Sequence, residues 1–570
     1  MLKISERLER IIHKYLPNKY KANNNDLIYS KVYSILQEKC LKKNVAMWGV
    51  GDFNNPSKTY VSKFLETFAD SLQNTKCLID MRQELKGKEL LGLPIILPQE
   101  ISKYDIDVIL VTSYRSRKYI VDEIRKFCPG ISYVDVYEEL ERMDLPTDTD
   151  IFVENDKYVN LYYQRKLYEN ALNTYDQEIQ FEKLILMYAD IKDVNYICRL
   201  IDECGIDDIQ FIKKMNDLKA ELTSLLGEIR EEIHNKKDIV VWLQDAFREC
   251  DWYDNRTSDF KILKNVSQKS VCFVNSYATG PVTYESFYSI ITGKMPFEGK
   301  VYDSKFKFNI KDFEFLKNAI DDNYKIRFYT DERFDIFNPD TQLKTKLKKY
   351  MPEIIWELLS EMCENDGKIL HFAYAFKELH VPFMCGYFSN EPVRSIFSKM
   401  GLDEEDVKGE DIKRQFEDCL NYMDYEMGNF LSLLGEDTVV IILGDHAHIV
   451  YDEKENKPFY LYYNDLNRSV RNTFMIYKKS WKHKVYKDLV SLIDFNKITS
   501  QVFEEKSFIL PKRDKINYQY YPVQNITIRE NAKLFNGEDY IDGIECCYDG
   551  EYIKVTTPNK IETYTNNNQN

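Results

Sequence analysis

The sequence has no C-x-x-C pair, no run of 18 apolar residues and no excess of positive charge. Each absence removes a class of protein. The cysteines scatter from Cys40 to Cys547, and the only close ones are the adjacent Cys546 and Cys547 and the pair Cys198 and Cys204. A thiolate zinc site or a redox dithiol therefore has little support. Without a long apolar stretch no spanning helix is expected. The start, MLKISERLERIIHKYLPNKY, is amphipathic and charged, unlike a signal peptide. A cytoplasmic, reducing compartment with free thiols is the expectation. Lys and Arg number 78 against 93 Asp and Glu, a net charge of −15, so a general attraction for nucleic acid or anionic lipid is not expected. Glycine is scarce, at 20 residues, whereas 42 Tyr and 32 Phe make the chain rich in aromatics. With 44% apolar and 30% charged residues, the chain is neither collagen-like nor wholly disordered. Its 570 residues suit two to four domains.

What is present is a repeated alternation of strand and helix patterns. Leu8, Ile11, Ile12 and Leu16 recur at helical spacing, so residues 1–40 read as helices. Short apolar runs follow at 44–50, 76–81, 93–97, 106–113 and 131–136, with helical patterns between several of them, at 60–72 and 116–127. That alternation predicts a parallel α/β sheet. Residues 151–236 carry helix periodicity with few glycines and no proline, and read as a helical connector. A second α/β pattern begins at Lys237, with strand runs at 238–245, 270–277, 325–331, 368–376 and 437–445 and a helix at 415–434. Residues 515–557 alternate as terminal strands do, and the tail ETYTNNNQN reads as disordered.

Three positions in the second half place ligand-type side chains where open α/β sheets bind, at the carboxyl ends of strands. Asp245 closes DIVVWLQD, Asp445 and His446 close DTVVIILGDH, and Thr283 precedes the helical stretch YESFYSIITG. Carboxylates, an imidazole and a hydroxyl suit one divalent Zn, Mn or Mg ion. A hydroxyl at a helix N-terminus faces backbone N–H groups and the positive end of the helix dipole, where a phosphoryl or sulfuryl group would be held. Metal coordination would make that hydroxyl a nucleophile.

The ordered set of segments resembles the sulfatase/alkaline phosphatase superfamily over residues 237–510. The segment LQDAFRECD and the segment from Ser258 to Pro296 are similar to its opening half, with Thr283 nine residues before Thr292 of TGKMP. FAYAFKELHVPF is similar to its H-x-P segment and singles out His380. NYMDYEMGNFLSLLGEDTVVIILGDHAH resembles its metal-binding D-H block, and SLIDFNKITSQVF the segment that follows. The resemblance implies that Asp245, Thr283, Asp445 and His446 hold one metal ion, and that Thr283 and His380 are catalytic. The chain departs from the sulfatase pattern at the nucleophile: Thr-Tyr-Glu-Ser-Phe contains no C/S-x-P-x-R, and threonine cannot become formylglycine. A Thr nucleophile is similar to the phosphodiesterase, phosphoethanolamine transferase and lipoteichoic acid synthase branches. The implied reaction is phosphoryl or phosphodiester transfer or hydrolysis through a covalent Thr283 intermediate, on a phosphorylated small molecule, a phosphorylated glycan or its precursor. A sulfuric ester hydrolase and a non-catalytic binder of phosphorylated ligands are the alternatives. The polyanion synthases carry membrane helices, which places a lipid-linked extracellular substrate in doubt for this chain.

Plainer readings stand beside these. Thr283 also fits a helix cap, Asp245 a strand-end cap and His380 a turn. His448 either supports His446 or lies on the surface; Asp424 and Arg248 read as structural, and His483 as a surface histidine, with a distant metal ligand as the alternative. In the first half, Gly49 and Gly51 follow a strand, and Asp80 ends the next one, as a ribose-binding acid would. The third glycine of the dinucleotide fingerprint is absent. Residues 40–140, with LPIILPQEI, resemble small Rossmann-like domains found beside surface-polysaccharide enzymes. Both nucleotide or nucleotide-sugar binding and a structural or partner-docking role remain open for this part. The expected organisation is a Rossmann-like α/β domain with N-terminal helices at 1–150, a helical connector at 151–236, and an alkaline-phosphatase-like α/β sandwich at 237–570.

Overall fold

The computed structural model describes residues 3–16, 25–50, 53, 59–113, 116–143, 156–251, 261–299, 307–380, 383–392, 409–447, 470–504, 508–520, 539 and 542–565. These form two compact units. One is built from described residues between 21 and 160; the other from those between 161 and 393, those from 409 onward, and the N-terminal helix.

The smaller unit holds six strands: β1 (Val45–Trp48), β2 (Thr75–Ile79), β3 (Glu89–Leu90), β4 (Leu93–Ile96), β5 (Val108–Val111) and β6 (Ser132–Asp135). Their order across the sheet is β3-β4-β2-β1-β5-β6, parallel except for the β3–β4 hairpin. The strand runs are apolar throughout because both faces are covered: Val45, Met47, Leu78 and Leu110 enter one core, Ala46, Trp48, Ile79 and Ile109 the other. Gly49 ends β1 at φ +114, where a Cβ would meet the Ser113 Cβ at 3.0 Å, so this turn requires glycine.

The larger unit is built on a mixed eight-stranded sheet. Its strands are β7 (Ile239–Gln244), β8 (Ser270–Phe273), β10 (Lys325–Thr330), β11 (Leu343–Leu347), β12 (Ile369–Ala375), β13 (Val439–Gly444), β14 (Phe474–Tyr477) and β15 (Lys484–Tyr486). The order is β11-β10-β12-β7-β13-β14-β8-β15, and the first five run parallel. On one face, Val241, Leu243, Phe372 and Tyr374 join a core with Phe287, Ile290 and Ile291 of the Thr283–Thr292 helix. On the other, Trp242 meets Phe430 of the Gly409–Leu433 helix. A two-stranded ribbon pairs β9 (Ser276–Tyr277) with β16 (Val490–Ser491). Four antiparallel strands close the described chain: β17 (Ile516–Tyr520), β18 (Ile544–Tyr548), β19 (Tyr552–Thr556) and β20 (Ile561–Thr565).

Two expectations need correction. The expected disorder of ETYTNNNQN does not hold over residues 562–565, which pair with β19 across a turn closed by Thr557 N–H donating to the Lys560 carbonyl; residues 566–570 lie outside the described residues. The N-terminal helix Ile4–Tyr15 was grouped with the first sheet, but contacts place it with the larger unit. Its Ile4, Leu8 and Ile12 are buried, Arg7 pairs with Glu232 of the Ile209–Ile233 helix at 2.8 Å, and Ser5 accepts from Trp356. Residues 157–233 form the helices Lys157–Glu169, Thr174–Asp190, Val194–Asp202 and Ile209–Ile233. Apart from the start of Lys157–Glu169, they belong to the same compact unit as the large sheet.

Candidate metal centre and nucleophile

The adjacent parallel strands β7 and β13 end in register, Leu243 opposite Leu443 and Gln244 opposite Gly444, so the next residues, Asp245 and Asp445, emerge side by side. Two features lock this edge. A Cβ on Gly444 would lie 2.2 Å from the Phe247 carbonyl oxygen, so only glycine lets β13 approach that backbone. Ala246 takes the left-handed φ of +55 and donates its N–H to Asp445 Oδ1 at 2.9 Å. His446 N–H donates to the same oxygen at 2.8 Å. The imidazole is oriented through Nδ1, 2.9 Å from the Ala447 carbonyl, which leaves Nε2 facing the two acids, 3.5 Å from Asp445 Oδ2 and 3.9 Å from Asp245 Oδ1.

Asp245, Asp445 and His446 are all buried, and one ligand atom of each lies within 4.8 Å of the others. Asp245 Oδ1 and Asp445 Oδ2 are buried and accept no hydrogen bond. Burial, and for Asp245 also the Asp445 charge, pushes both carboxyls up from their ordinary range. Two buried carboxylates with orphaned oxygens aimed at an imidazole nitrogen are a costly arrangement for the bare protein. A divalent cation would satisfy them, and the donor set of oxygens and one nitrogen fits such an ion.

Thr283 is the first residue of its helix and is buried. Its hydroxyl donates to Asp245 Oδ2 at 3.2 Å and lies 3.4 Å from His446 Nε2. The structure thus joins Thr283, Asp245, Asp445 and His446 in one cluster. His380 is not among the groups that meet the Thr283 hydroxyl; its half-buried ring packs on Phe376 at a tilt of 37°, 4.3 Å between centroids. His448 and Gly51 lie outside the described residues. Asp424 accepts from Leu263 N–H, Arg248 pairs with Asp251, and His483 faces the Ser270 carbonyl.

Sequence reasoning missed two neighbours. Tyr374 on β12 is fully buried and donates its hydroxyl to Asp245 Oδ2. Burial beside both carboxylates pushes its phenol well up, so it keeps its proton. Its signal, a phenol six residues before His380 on an apolar strand, is indistinguishable from core in a chain so rich in tyrosine. Arg333 follows β10, another parallel strand ending at this edge. Its guanidinium sits 4.5 Å from the Phe376 ring centroid and is held by Asp331, and its charge acts on Asp245. Phe376 therefore carries both Arg333 and His380. The carboxyl edge of β10, with its Asp-x-Arg at 331–333, was the available clue.

In the smaller unit, Gly49 and Asp80 stand at the ends of β1 and β2. Asp80 is occupied by its own chain: Arg82 donates Nε to Oδ1 and Nη2 to Oδ2, both at 2.8 Å, and its N–H to Oδ1 at 3.0 Å. Burial alone would raise the Asp80 pKa, but these hydrogen bonds bring it below the ordinary value.

Residues 238–499 match the family model described as Sulfatase, and residues 41–132 the model described as C2185-like, N-terminal. The larger sheet is thus that of a sulfatase/alkaline-phosphatase-superfamily fold, and with the intact Asp–Asp–His group it supports a hydrolase or transferase. No curated protein matches the chain. Similar solved structures include a phosphonate monoester hydrolase from Silicibacter pomeroyi (10% identity over 58% of this chain and 89% of that one, TM-score 0.44). The phosphonate monoester hydrolase of Agrobacterium radiobacter is also similar (10%, 57% and 89%, 0.41). So is a protein in the alkaline phosphatase superfamily from Vibrio parahaemolyticus (13%, 59% and 81%, 0.37). Among the described residues no helix is long and apolar enough to cross a membrane.

Proposed function

We propose that this protein is a metal-dependent phosphotransferase or phosphodiesterase-type hydrolase that works through a covalent Thr283 intermediate, on a phosphorylated small molecule or glycan precursor. One observation carries the reading: a buried threonine hydroxyl at a helix N-terminus, 3.2 Å from Asp245 and 3.4 Å from His446, beside two carboxylate oxygens that lack partners. Asp245, Asp445, His446 and Thr283 would hold a divalent ion, which when bound supplies a lowered hydroxyl pKa and positive charge beside the transferring group.

The rest is done by the chain. Thr283 Oγ1 attacks phosphorus as the bond to the leaving oxygen breaks, leaving the group as an ester on threonine. Water or an acceptor hydroxyl then attacks the same phosphorus and frees Thr283. Backbone N–H groups at the start of the Thr283–Thr292 helix face the charge on the equatorial oxygens. His380 binds a phosphate oxygen or protonates the leaving group, and Arg333, beside it on Phe376, adds a bidentate donor for the same anion. The threonine aligns this chain with the lipoteichoic acid synthase and phosphoethanolamine transferase branches rather than with formylglycine sulfatases.

The proposal extends to the layout: a Rossmann-like domain to about residue 150, a helical connector, and a catalytic domain from 237. The carboxyl edge of the first sheet, at Gly49 and Asp80, is where a nucleotide would lie, provided Asp80 exchanges Arg82 for a ribose hydroxyl. A cytoplasmic location and a place in polysaccharide biosynthesis belong to the same proposal. Metal analysis of the purified protein, then a panel of bis-aryl phosphodiesters, aryl phosphates and aryl sulfates, tests the main reading. Turnover of phosphodiesters supports it. Turnover of sulfates alone, or of nothing with no metal bound, overturns it in favour of a sulfatase or a non-catalytic binder.

A further inference from the structure

The Tyr374 hydroxyl lies between the nucleophile and a metal-ligating acid, and the reaction outlined above does not use it. Tyr374 stands opposite Leu243 in the β12–β7 register, two rows below Asp245, so its long side chain reaches up the face to that carboxylate. Its ring is held edge-on by Phe287 at 4.9 Å and Phe334 at 5.0 Å, at interplanar angles of 74°. The phenolic oxygen is thereby fixed without help from its own hydrogen bond. With one hydrogen to give, the phenol gives it to Asp245 Oδ2, while its oxygen stays 3.4 Å from Thr283 Oγ1. Asp245 Oδ2 thus takes two donors, Tyr374 and Thr283, and Oδ1 takes none. The oxygen left for a cation is therefore the one that neither the tyrosine nor the nucleophile occupies.

We infer that Tyr374 is a positioning residue, which orients the Asp245 carboxylate for the metal ion and holds Thr283 through that same carboxylate. The inference rests on the metal-centre reading above. Hydrogen-bonding partners behind a metal ligand typically change metal affinity or activity by roughly 10–100-fold when removed. Tyr374→Phe keeps the ring, and with it the packing against Phe287 and Phe334, and deletes only the hydroxyl.

The test measures binding of Mn²⁺, Zn²⁺ and Mg²⁺, each alone, to the metal-free full-length wild type and Tyr374→Phe, beside thermal melting of both metal-free proteins. The expected result is a dissociation constant raised roughly 10–100-fold in the variant with the metal-free melting temperature unchanged. At saturating metal, kcat on a phosphodiester should fall while KM stays. Equal metal affinity in the two proteins overturns the inference and leaves the metal-centre reading standing. A metal-free variant that melts well below the wild type also overturns it, because the hydroxyl would then be structural. If the wild type binds none of the three ions, the inference and the reading beneath it both fall.

Discussion

The six-stranded and the eight-stranded sheet both end parallel strands in buried acids, and those acids have met opposite fates. Asp80, after β2, has both oxygens bonded by Arg82 two residues on. Asp245 and Asp445, after β7 and β13, each keep one oxygen with no partner, facing His446 Nε2. An acid at the carboxyl edge of a strand is therefore not a ligand by position alone. It becomes a candidate where the fold fixes the carboxylate, leaves one oxygen unsatisfied and faces that oxygen with a further ligand atom, here His446 Nε2. A third pair clarifies the point. Asp193 and Glu426 are buried acids close enough to act on each other's charge; Asp193 accepts from Tyr422 and the Tyr196 N–H, Glu426 Oε2 accepts from Asn195, and Glu426 Oε1 is left without a partner. Burial pushes Asp193 up to about 6, and burial with the Asp193 charge pushes Glu426 well above its ordinary range. An oxygen left over is therefore not by itself a metal ligand; at Asp245 and Asp445 it is the His446 Nε2 facing both acids that completes a donor set.

The contrast can be broken most severely at the nucleophile. Thr283→Ala should lower turnover of a bis-aryl phosphodiester by roughly 10⁴-fold or more and leave the circular dichroism spectrum unchanged; retained activity would remove Thr283 from the mechanism. Next comes the metal. A chelator should abolish activity, and an added divalent ion at a hundred times its Kd should restore it and stabilise the fold by about 2.7 kcal/mol. In Asp445→Asn that thermal shift should vanish, whereas in Arg82→Ala it should persist.

The Asp193 and Glu426 pair gives a smaller effect with a definite sign. The folded protein holds the Asp193 proton up to about pH 6, whereas an unfolded aspartate releases it near 4. The folded state therefore binds more protons over that window, and this contribution to stability falls as pH rises from about 4 through about 6. Glu426→Gln should flatten the dependence and stabilise the protein by about 1 kcal/mol at pH 8, read from urea unfolding at pH 4–8. An unchanged profile would mean that the two acids do not act on each other's charge. Smallest is Arg82→Ala. The Arg82 side chain is 43% exposed, so loss of its pair with Asp80 should cost below about 1 kcal/mol and leave phosphodiester turnover as it was.

Much of this was legible in the sequence because it is local. Strands such as Val439–Gly444 announce themselves as apolar runs, and Asp445 and His446 follow directly. Thr283 was found by its spacing to Thr292 and by the helix it opens. Tyr374 was not found because it lies 129 residues from Asp245, and only the pairing of β12 with β7 brings the two together. Arg333 was missed for a similar reason: it bears on the site only because β10 lies beside β12.

The sequence alone thus determined the apolar strand runs, though not β11, β14 or β15, where acids, imidazole and hydroxyl stand at their ends, and that threonine precludes formylglycine. These follow from periodicity and side-chain chemistry, which are properties of a few consecutive residues. The tertiary structure decided which of those acids remain unsatisfied. That depends on what each carboxylate meets across the sheet: Arg82 from its own turn at Asp80, and at Asp245 a phenol and a hydroxyl that occupy one oxygen and leave the other bare.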